Sequence, residues 1–322
     1  MNKTFLRRCL AHLLALTSAL AASSAIAQQV ASGPIKFVVP FPPGTTIDVL
    51  ARDLSAKLPA VLGRPIVVEN RAGAGGNIGT EYALGQPADG STFLVTVHSP
   101  LTINPLIYEK LRYSPNDFIP VTNLITGGYI LVANNNTPYK SLAELVAAGK
   151  ARPDQVTFAS HGYGSMTHIC MEQLQATTGA RFRHVPYKNL YAGDMMAGVV
   201  DMGFDNIGST TPNVNAKKLV PLALSYKRMP QLPGVPAVAE SYAGYECFSW
   251  VGVLAPKGTP AAAVRQMNLE INKIMATPAF ATLADTLGTH LAPTTVEQFT
   301  EFYKADIEKW RKLVPPLNIK LD

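Results

Sequence analysis

Short runs of apolar residues alternate with polar, turn-forming segments along most of the chain. Several of these runs are rich in Val, Ile and Phe, as buried strands are. They predict strands at 35–40, 66–70, 92–97, 155–160, 182–185, 202–204, 219–225 and 250–254. Apolar residues at helical spacing predict helices at 47–58, near 80, and at 141–148, 166–177, 261–275 and 296–313. Strands that alternate with helices predict an α/β fold with mostly parallel sheets.

A polar break at 134–138 separates two such series, so the pattern predicts two α/β lobes. A length of 322 residues with 47% hydrophobic content is enough for two cores. The formal charge is +6, from 28 basic and 22 acidic residues, and the sequence contains no long basic run. This excess of positive charge is too small and too dispersed to indicate nucleic-acid binding, so no nucleic-acid partner is expected.

The N-terminal segment has the pattern of an export signal. Three basic residues fall within its first eight positions, an apolar run covers 10–22, and Ala25-Ile26-Ala27 forms a small-x-small cleavage site. We predict that 1–27 is a signal peptide and that the mature protein is periplasmic. A membrane anchor is disfavoured, because the run is shorter than the roughly 18 apolar residues of a spanning helix. Arg7-Arg8 fits a twin-arginine signal only loosely, so the choice between Sec and Tat export stays open.

Two cysteines, Cys170 and Cys247, remain after this cleavage. In an oxidising compartment they can form a disulfide. They can equally stay as two separate buried thiols that behave as small hydrophobic side chains. The sequence leaves both outcomes open.

Motifs for covalent or cofactor chemistry are missing from the sequence. The glycine-rich loop 73–79 fails the dinucleotide pattern, because Ile78 stands where the third glycine is needed. Ser165 lacks the flanking glycines of a hydrolase elbow. His161 and His168 are seven residues apart without the ligand spacing of a zinc site. We therefore predict no enzyme activity, no cofactor and no metal.

Two loops, 42–46 and 162–165, follow a predicted strand and precede a predicted helix. A helix start carries free backbone N–H groups and the positive end of the helix dipole, so it can bind a carboxylate without a cationic side chain. Thr45, Thr46 and Ser165 add hydroxyl groups. The alternative is that these loops are ordinary turns and helix caps, which the same residue types also form.

Several segments occur in a characteristic order along the mature chain. They are Phe41-Pro42-Pro43-Gly44-Thr45-Thr46-Ile47-Asp48-Val49-Leu50-Ala51-Arg52, Val68-Glu69-Asn70-Arg71-Ala72-Gly73-Ala74-Gly75-Gly76-Asn77-Ile78-Gly79, Asn104-Pro105-Leu106-Ile107-Tyr108, Gly162-Tyr163-Gly164-Ser165, His184-Val185-Pro186-Tyr187-Lys188 and Ala255-Pro256-Lys257-Gly258-Thr259-Pro260. Together they resemble the Bug-type substrate-binding proteins of tripartite tricarboxylate transporters. Thr45 departs from that pattern, which has glycine there, and we expect it to reshape a carboxylate pocket.

The resemblance implies a periplasmic binding protein with the Venus flytrap fold. Its two mixed or parallel sheets would be flanked by helices, and the chain would cross the hinge twice. One lobe would combine 28–130 with 252–322, and the other would span 131–251. The implied function is capture of a small carboxylate by lobe closure for delivery to the membrane permease subunits, by a monomeric protein. A ligand-sensing module for a membrane receptor and a secreted enzyme are the weaker alternatives.

The loops and the resemblance together predict the ligand contacts. The expected residues are Phe41, Pro43, Gly44, Thr45, Thr46, His98, Ser99, Ser160, Gly162, Tyr163, Gly164, Ser165, His168, Asp205 and Asn206. Because Asp205 would repel a carboxylate, we expect it to bind a ligand hydroxyl, a water or a backbone N–H.

The rest of the ligand is poorly specified by the sequence. Aromatic residues in or near the site segments favour an aromatic carboxylate if they face the ligand, although aromatic residues more often pack in cores. These are Tyr163, Tyr191, Phe204 and Trp250. A di- or tricarboxylate and an acidic amino acid are the alternatives.

Overall fold

The computed structural model describes residues 33–187, 190–317 and 319–321. The predicted signal peptide at 1–27 lies outside these residues, and so does Lys188. No helix in the described part of the chain has the length and apolar character needed to cross a membrane.

The first sheet has six strands and is mixed. Its strands, in spatial order, are β11 (His290–Leu291), β4 (Phe118–Gly127), β10 (Ser249–Pro256), β3 (Thr92–Val97), β1 (Ile35–Val39) and β2 (Ile66–Asn70). Strand β1 pairs in parallel with β2 and β3, whereas β10 runs antiparallel to both β3 and β4.

The second sheet has five strands and is also mixed. Its spatial order is β7 (Arg183–Pro186), β6 (Thr157–Ser160), β8 (Met202–Asn206), β5 (Tyr129–Asn134) and β9 (Leu219–Leu224). Strand β6 pairs in parallel with β7 and β8, and β5 is antiparallel to β8 and β9. The predicted α/β fold with two mixed sheets is confirmed.

Helices cover both sheets. They are α1 (Thr46–Lys57), α2 (Pro59–Leu62), α3 (Asn77–Leu84), α4 (Ser99–Thr102), α5 (Asn104–Ile107), α6 (Leu142–Ala151), α7 (Met166–Thr178), α8 (Ala192–Met196), α9 (Ile207–Asn215), α10 (Ala261–Met275), α11 (Pro278–Thr286) and α12 (Val296–Leu313). Helix α1 shows why they pack as they do, because its apolar residues Ile47, Leu50 and Leu54 are buried while Arg52 is exposed.

The chain crosses between the two sheets twice. Gly128 alone separates β4 from β5, and the chain returns between β9 and β10. Ser225 ties the two crossings together, because its Oγ accepts a 2.7 Å hydrogen bond from Tyr129 N–H and donates one of 2.6 Å to Cys247 O. The lobe boundaries that we gave from the sequence, 28–130 with 252–322 and 131–251, stay a prediction.

Helix α12 packs against both sheets. Phe299 and Tyr303 are buried in a cluster with Val38 and Leu94 of the first sheet. About two turns further on, Trp310 belongs to the apolar cluster beneath the second sheet. The helix therefore spans the junction between the lobes.

Cys170 of α7 and Cys247 form a disulfide. Both residues are buried, and Tyr245 Oη donates a 2.9 Å hydrogen bond to Cys170 O. Of the two outcomes that the sequence left open, the structure shows the pairing. It connects a helix of the second lobe to the returning hinge segment.

Candidate functional site

A cleft runs between the two sheets and holds two adjoining cavities. The first cavity is about 490 Å³ and the second about 410 Å³. Val97, Tyr129, Asn206 and Ser249 line both cavities. Because these four residues are shared, the two cavities are parts of one continuous cleft.

Two helix starts from different lobes meet at the first cavity. Thr45, Thr46 and Ile47, where α1 begins, line one side, and Ile207 with its neighbours at the start of α9 line the other. Neither helix is capped by a side chain at its N-cap, Thr45 or Asn206. The described residues that line this cavity include no Asp, Glu, Lys or Arg. The first amides of α1 and α9 and, opposite Gly208, the C-terminal carbonyl groups of α11 therefore set its electrostatics.

The loop before α1 is fixed by Asp48 and Asn70. Gly44 N–H donates a 2.9 Å hydrogen bond to Asp48 Oδ2, and Asn70 Nδ2 donates to Asp48 Oδ1 at 2.9 Å and to Phe41 O at 3.1 Å. Arg52 Nε also donates to Asp48 Oδ2, at 2.9 Å. The Thr45 hydroxyl donates to Pro42 O at 2.9 Å, so it closes the turn rather than pointing a free O–H at a ligand.

The Asp48 carboxyl is held in its charged form. Burial on its own would raise its pKa, but the hydrogen bonds from Arg52, Gly44 and Asn70 together lower the pKa below the ordinary value. A charged carboxylate is the stronger acceptor for the Gly44 N–H. The charge therefore supports the loop geometry at the first cavity.

The second cavity is bordered by the loop 162–165, whose amides are largely occupied. Gly162 N–H donates to Ser160 Oγ at 3.1 Å, Gly164 N–H to His168 Nδ1 at 3.2 Å, and Ser165 N–H to Gly162 O at 3.2 Å. The side chain of Ser165 caps α7 by accepting from His168 N–H, and it donates to Gly162 O at 2.7 Å. This helix start differs from those of α1 and α9, because a side chain caps it.

A cluster of rings supports this loop from below. The rings of His168 and His184 stack at 4.2 Å between centroids, and Tyr163 packs edge-on against both. Ser160 Oγ lies 2.6 Å from His184 Nε2. Ser160 and His168 are buried. They position the loop from beneath instead of lining the cavity.

Asp205 lies behind the second cavity, next to His161. Its Oδ1 accepts a 2.8 Å hydrogen bond from Asn206 N–H and lies 3.9 Å from His161 Nε2. Burial raises the pKa of Asp205, and burial lowers the pKa of His161. The backbone N–H is one of the three partners expected for Asp205 from the sequence.

His98 directly follows β3 and is buried between Trp250 and Trp310. Its Nδ1 lies 3.3 Å from Thr102 Oγ1. Burial, with a smaller contribution from the nearby Lys309 charge, lowers its pKa to about 3. The imidazole is therefore neutral at physiological pH and gives the cleft no positive charge.

The structure brings most of the predicted residues to the cleft. Those that line a cavity are Phe41, Gly44, Thr45, Thr46, His98, Ser99, Tyr163, Gly164, Ser165 and Asn206. Those that do not are Pro43, Ser160, Gly162, His168 and Asp205. Of the four aromatic residues considered for ligand contact, only Tyr163 lines the cleft, because Tyr191, Phe204 and Trp250 are buried in the cores.

Sequence reasoning missed the α9 side of the first cavity and the strands around the hinge. The missed residues are Gly127, Gly128, Tyr129, Ile207, Gly208, Ser209, Ser249 and the segment 286–289. Asn206, the N-cap of α9, was among the predicted contacts, and Gly208 was a further signal because glycine allows close approach of backbone. Within the described residues, no group of three or more His, Cys, Asp or Glu side chains could hold a metal ion.

Comparison with known proteins identifies the family. Residues 50–319 match the model of the tripartite tricarboxylate transporter family receptor. The chain belongs to this receptor family. The resemblance stated from the sequence motifs is confirmed. Proteins of this family are periplasmic solute-binding receptors, and this receptor is therefore a binding protein and not an enzyme.

Relatives of known sequence or structure cover nearly the whole receptor. A protein encoded in the tcbD–tcbE intergenic region of Pseudomonas sp. (strain P51) is 37% identical over 94% of this chain and 92% of its own length. The protein BugT of Bordetella pertussis is 34% identical over 96% of this chain and 98% of its own. The solved structure of R. palustris Rpa4515 with adipate superposes with a TM-score of 0.77 at 30% identity, over 90% of this chain and 99% of that one.

Proposed function

We propose that this receptor is exported to the periplasm, captures a small carboxylate between its lobes and delivers it to the membrane subunits of a tripartite tricarboxylate-type transporter. It would do so as a monomer, after removal of 1–27. The lobes would be 28–130 with 252–322 and 131–251. The observation that carries the proposal is the pair of uncapped helix starts, α1 and α9, on opposite sides of a cavity without charged side chains.

This arrangement favours a carboxylate over a cation or a neutral solute. The first backbone N–H groups of α1 and α9 have no partner within their own helices, and both dipoles place positive potential at the cavity. An anion bound between them would receive hydrogen bonds from both lobes. The structure of Rpa4515 with adipate, a small carboxylate, is consistent with such a ligand.

Ligand binding would favour closure of the lobes, because a ligand can contact the starts of α1 and α9 together only when the two are close to each other. The structure has a small set of contacts across the cleft at this point. Gln231 Nε2 donates a 3.1 Å hydrogen bond to Asp285 O, and Gly208 lies so close to Leu287 that a Cβ added at position 208 would be 3.1 Å from Leu287 O. A ligand that touches both sides favours this state by its differential affinity. The closed surface, formed by both lobes, is what the membrane subunits would recognise.

The test is a thermal-shift titration of full-length mature protein that has been unfolded in urea and refolded to remove bound solutes. Hexanoate, adipate and 3-phenylpropanoate are the carboxylates, and hexanamide is the matched neutral control. A ligand at 100 times its Kd stabilises by about 2.7 kcal/mol. For a chain of this size that is a shift of roughly 5–10 °C.

We expect at least one carboxylate to raise the unfolding midpoint while hexanamide leaves it unchanged. A flat response to every carboxylate, or an equal shift with hexanamide, would contradict carboxylate capture. Delivery is tested separately, by binding of the loaded and unloaded receptor to membranes that contain the transporter subunits. Equal binding of both forms would contradict the role of closure in delivery.

A further inference from the structure

The two ends of the cleft are not equivalent, and their difference bears on the class of ligand. This inference rests on the proposed function. The first cavity has the uncapped starts of two longer helices, α1 and α9, whereas the second borders α7, whose start is capped by Ser165, and the four-residue helix α4, whose dipole is small. The shared residues Tyr129 and Asn206 make the two cavities continuous. A ligand bound at one end can therefore extend to the other.

The second cavity offers little to a second carboxylate. The amides of His161, Gly162, Gly164 and Ser165 already donate to Thr167 Oγ1, Ser160 Oγ, His168 Nδ1 and Gly162 O. A ligand anion would have to break these bonds. The described residues that line this cavity include no Lys or Arg.

The titratable groups nearest to the second cavity also disfavour an anion. His161 lines the cavity, and burial lowers its pKa, so the imidazole is mostly neutral at neutral pH. The Asp205 carboxyl lies 3.9 Å from His161 Nε2. His98 is neutral as well. A carboxylate placed here would be desolvated without a cation to compensate it, which is strongly unfavourable.

The same cavity is well suited to an uncharged, apolar group. Four aromatic side chains, Phe41, Tyr108, Tyr129 and Tyr163, line it together with Ile107 and Met166. Tyr163 is the most exposed of the rings, at 60%, and its position is fixed by edge-on contacts with His168 and His184. An exposed large ring held in place at a cleft is available to pack against a ligand.

We propose that this receptor selects monocarboxylates whose far end is uncharged and carries an aromatic ring or an apolar chain, rather than di- or tricarboxylates. The carboxylate binds at the first cavity between α1 and α9. The uncharged end packs in the second cavity against Tyr163.

Calorimetric titration with two matched ligand pairs tests this proposal. The pairs are hexanoate with adipate, and 3-phenylpropanoate with 3-(4-carboxyphenyl)propanoate, so that each pair differs only by a carboxylate at the far end. We expect the added carboxylate to weaken binding by at least about tenfold in both pairs, which is 1.4 kcal/mol. Equal or tighter binding of either dicarboxylate overturns the proposal and leaves carboxylate capture intact. Failure of all four to bind would overturn the proposed function and this inference with it.

A substitution at Tyr163 tests whether the uncharged end of the ligand lies in the second cavity. Y163A should weaken the binding of 3-phenylpropanoate by roughly two- to tenfold, because the ligand loses one aromatic contact. The matched control is Y82A, since Tyr82 packs over Arg71 and does not line either cavity. Unchanged affinity in Y163A, with circular dichroism showing an intact fold, overturns the placement of the ring in the second cavity.

Discussion

Asp48 Oδ2 accepts a 2.9 Å hydrogen bond from the backbone N–H of Gly44, four residues earlier in the chain. Gly44 has a φ of +83°, a conformation that glycine adopts without strain. The same carboxylate also accepts hydrogen bonds from Arg52 Nε and Asn70 Nδ2. This one contact explains why glycine, aspartate and arginine stand at their spacing in the 41–52 segment. They hold the turn that places the α1 start at the first cavity.

Removal of the Asp48 carboxylate should loosen this turn. Asp48→Ala leaves the Gly44 N–H and the Arg52 guanidinium without their acceptor, so we expect unfolding free energy to fall by about 1–3 kcal/mol and affinity for a carboxylate to fall with it. Urea unfolding and calorimetry measure the two effects. Asp53→Ala is the control, because its partner is Lys57 on the same face of α1 and such pairs contribute little. Equal losses in both variants would contradict the role of Asp48.

The same contact predicts a pH dependence. The folded-state pKa of Asp48 is lowered from 3.8, so its contribution to stability is present above that value and is lost as pH falls through the folded-state pKa. The stability difference between wild type and Asp48→Asn should therefore shrink between pH 5 and pH values below about 4. Urea unfolding across this range measures it. A difference that stays constant with pH would contradict the assignment.

Lobe closure should depend on the small size of residue 208. A Cβ at Gly208 would lie 3.1 Å from Leu287 O across the cleft, and the backbone of Gly208 does not need a positive φ. Gly208→Ala should therefore fold normally but hold the lobes slightly apart and weaken carboxylate binding by about tenfold. Gly234→Ala is the control, because nothing lies within 4 Å of its added Cβ. Calorimetry that finds equal affinities for the two variants would rule out closure at this contact.

The disulfide should stabilise the fold, because it closes a long loop between two cysteines with a sequence separation of 77. We expect C170A/C247A to lower the unfolding free energy by about 2–4 kcal/mol, because the unfolded chain gains freedom. Wild type that is unfolded and refolded in the presence of reductant should have the same unfolding free energy as the variant. Reductant should not change the unfolding free energy of the variant itself. Unfolding curves that coincide for oxidised wild type and the variant would contradict this.

The local periodicity of the sequence was enough to predict much of the fold. Strand β2 and helices α10 and α12 match the predicted spans. Strands β4 and β5 are not among the predicted strands. In β4, the buried residues Thr122 and Asn123 interrupt the apolar run. Thr122 Oγ1 donates a hydrogen bond to Asn272 Oδ1, and the Asn123 N–H donates one to Thr294 Oγ1, at sequence separations of 150 and 171 residues. Such long-range partners cannot be read from a local pattern.

The site was predictable only where its residues belong to a local sequence motif. The loop before α1 carries a motif in its own sequence, so its residues were found. Of the α9 start, the N-cap Asn206 was predicted but 207–209 were missed, because only the tertiary fold brings Gly208 opposite Leu287. Ser160 and His168 were expected at the ligand, but they bond within their own lobe and are buried beneath the loop that borders the second cavity. Sequence shows which residues are near a loop, and packing decides which of them face the cleft.

Amide NMR gives the most direct test of the central claim, that one carboxylate is held by backbone N–H groups from both lobes. A backbone-assigned, ¹⁵N-labelled receptor is titrated with hexanoate and, in parallel, with hexanamide. The account predicts that hexanoate shifts the amide protons of Thr45–Ile47 and of Ile207–Ser209 together, with one shared Kd, and that hexanamide does not. Shifts confined to one lobe, or absent from both helix starts while hexanoate binds elsewhere, would contradict it.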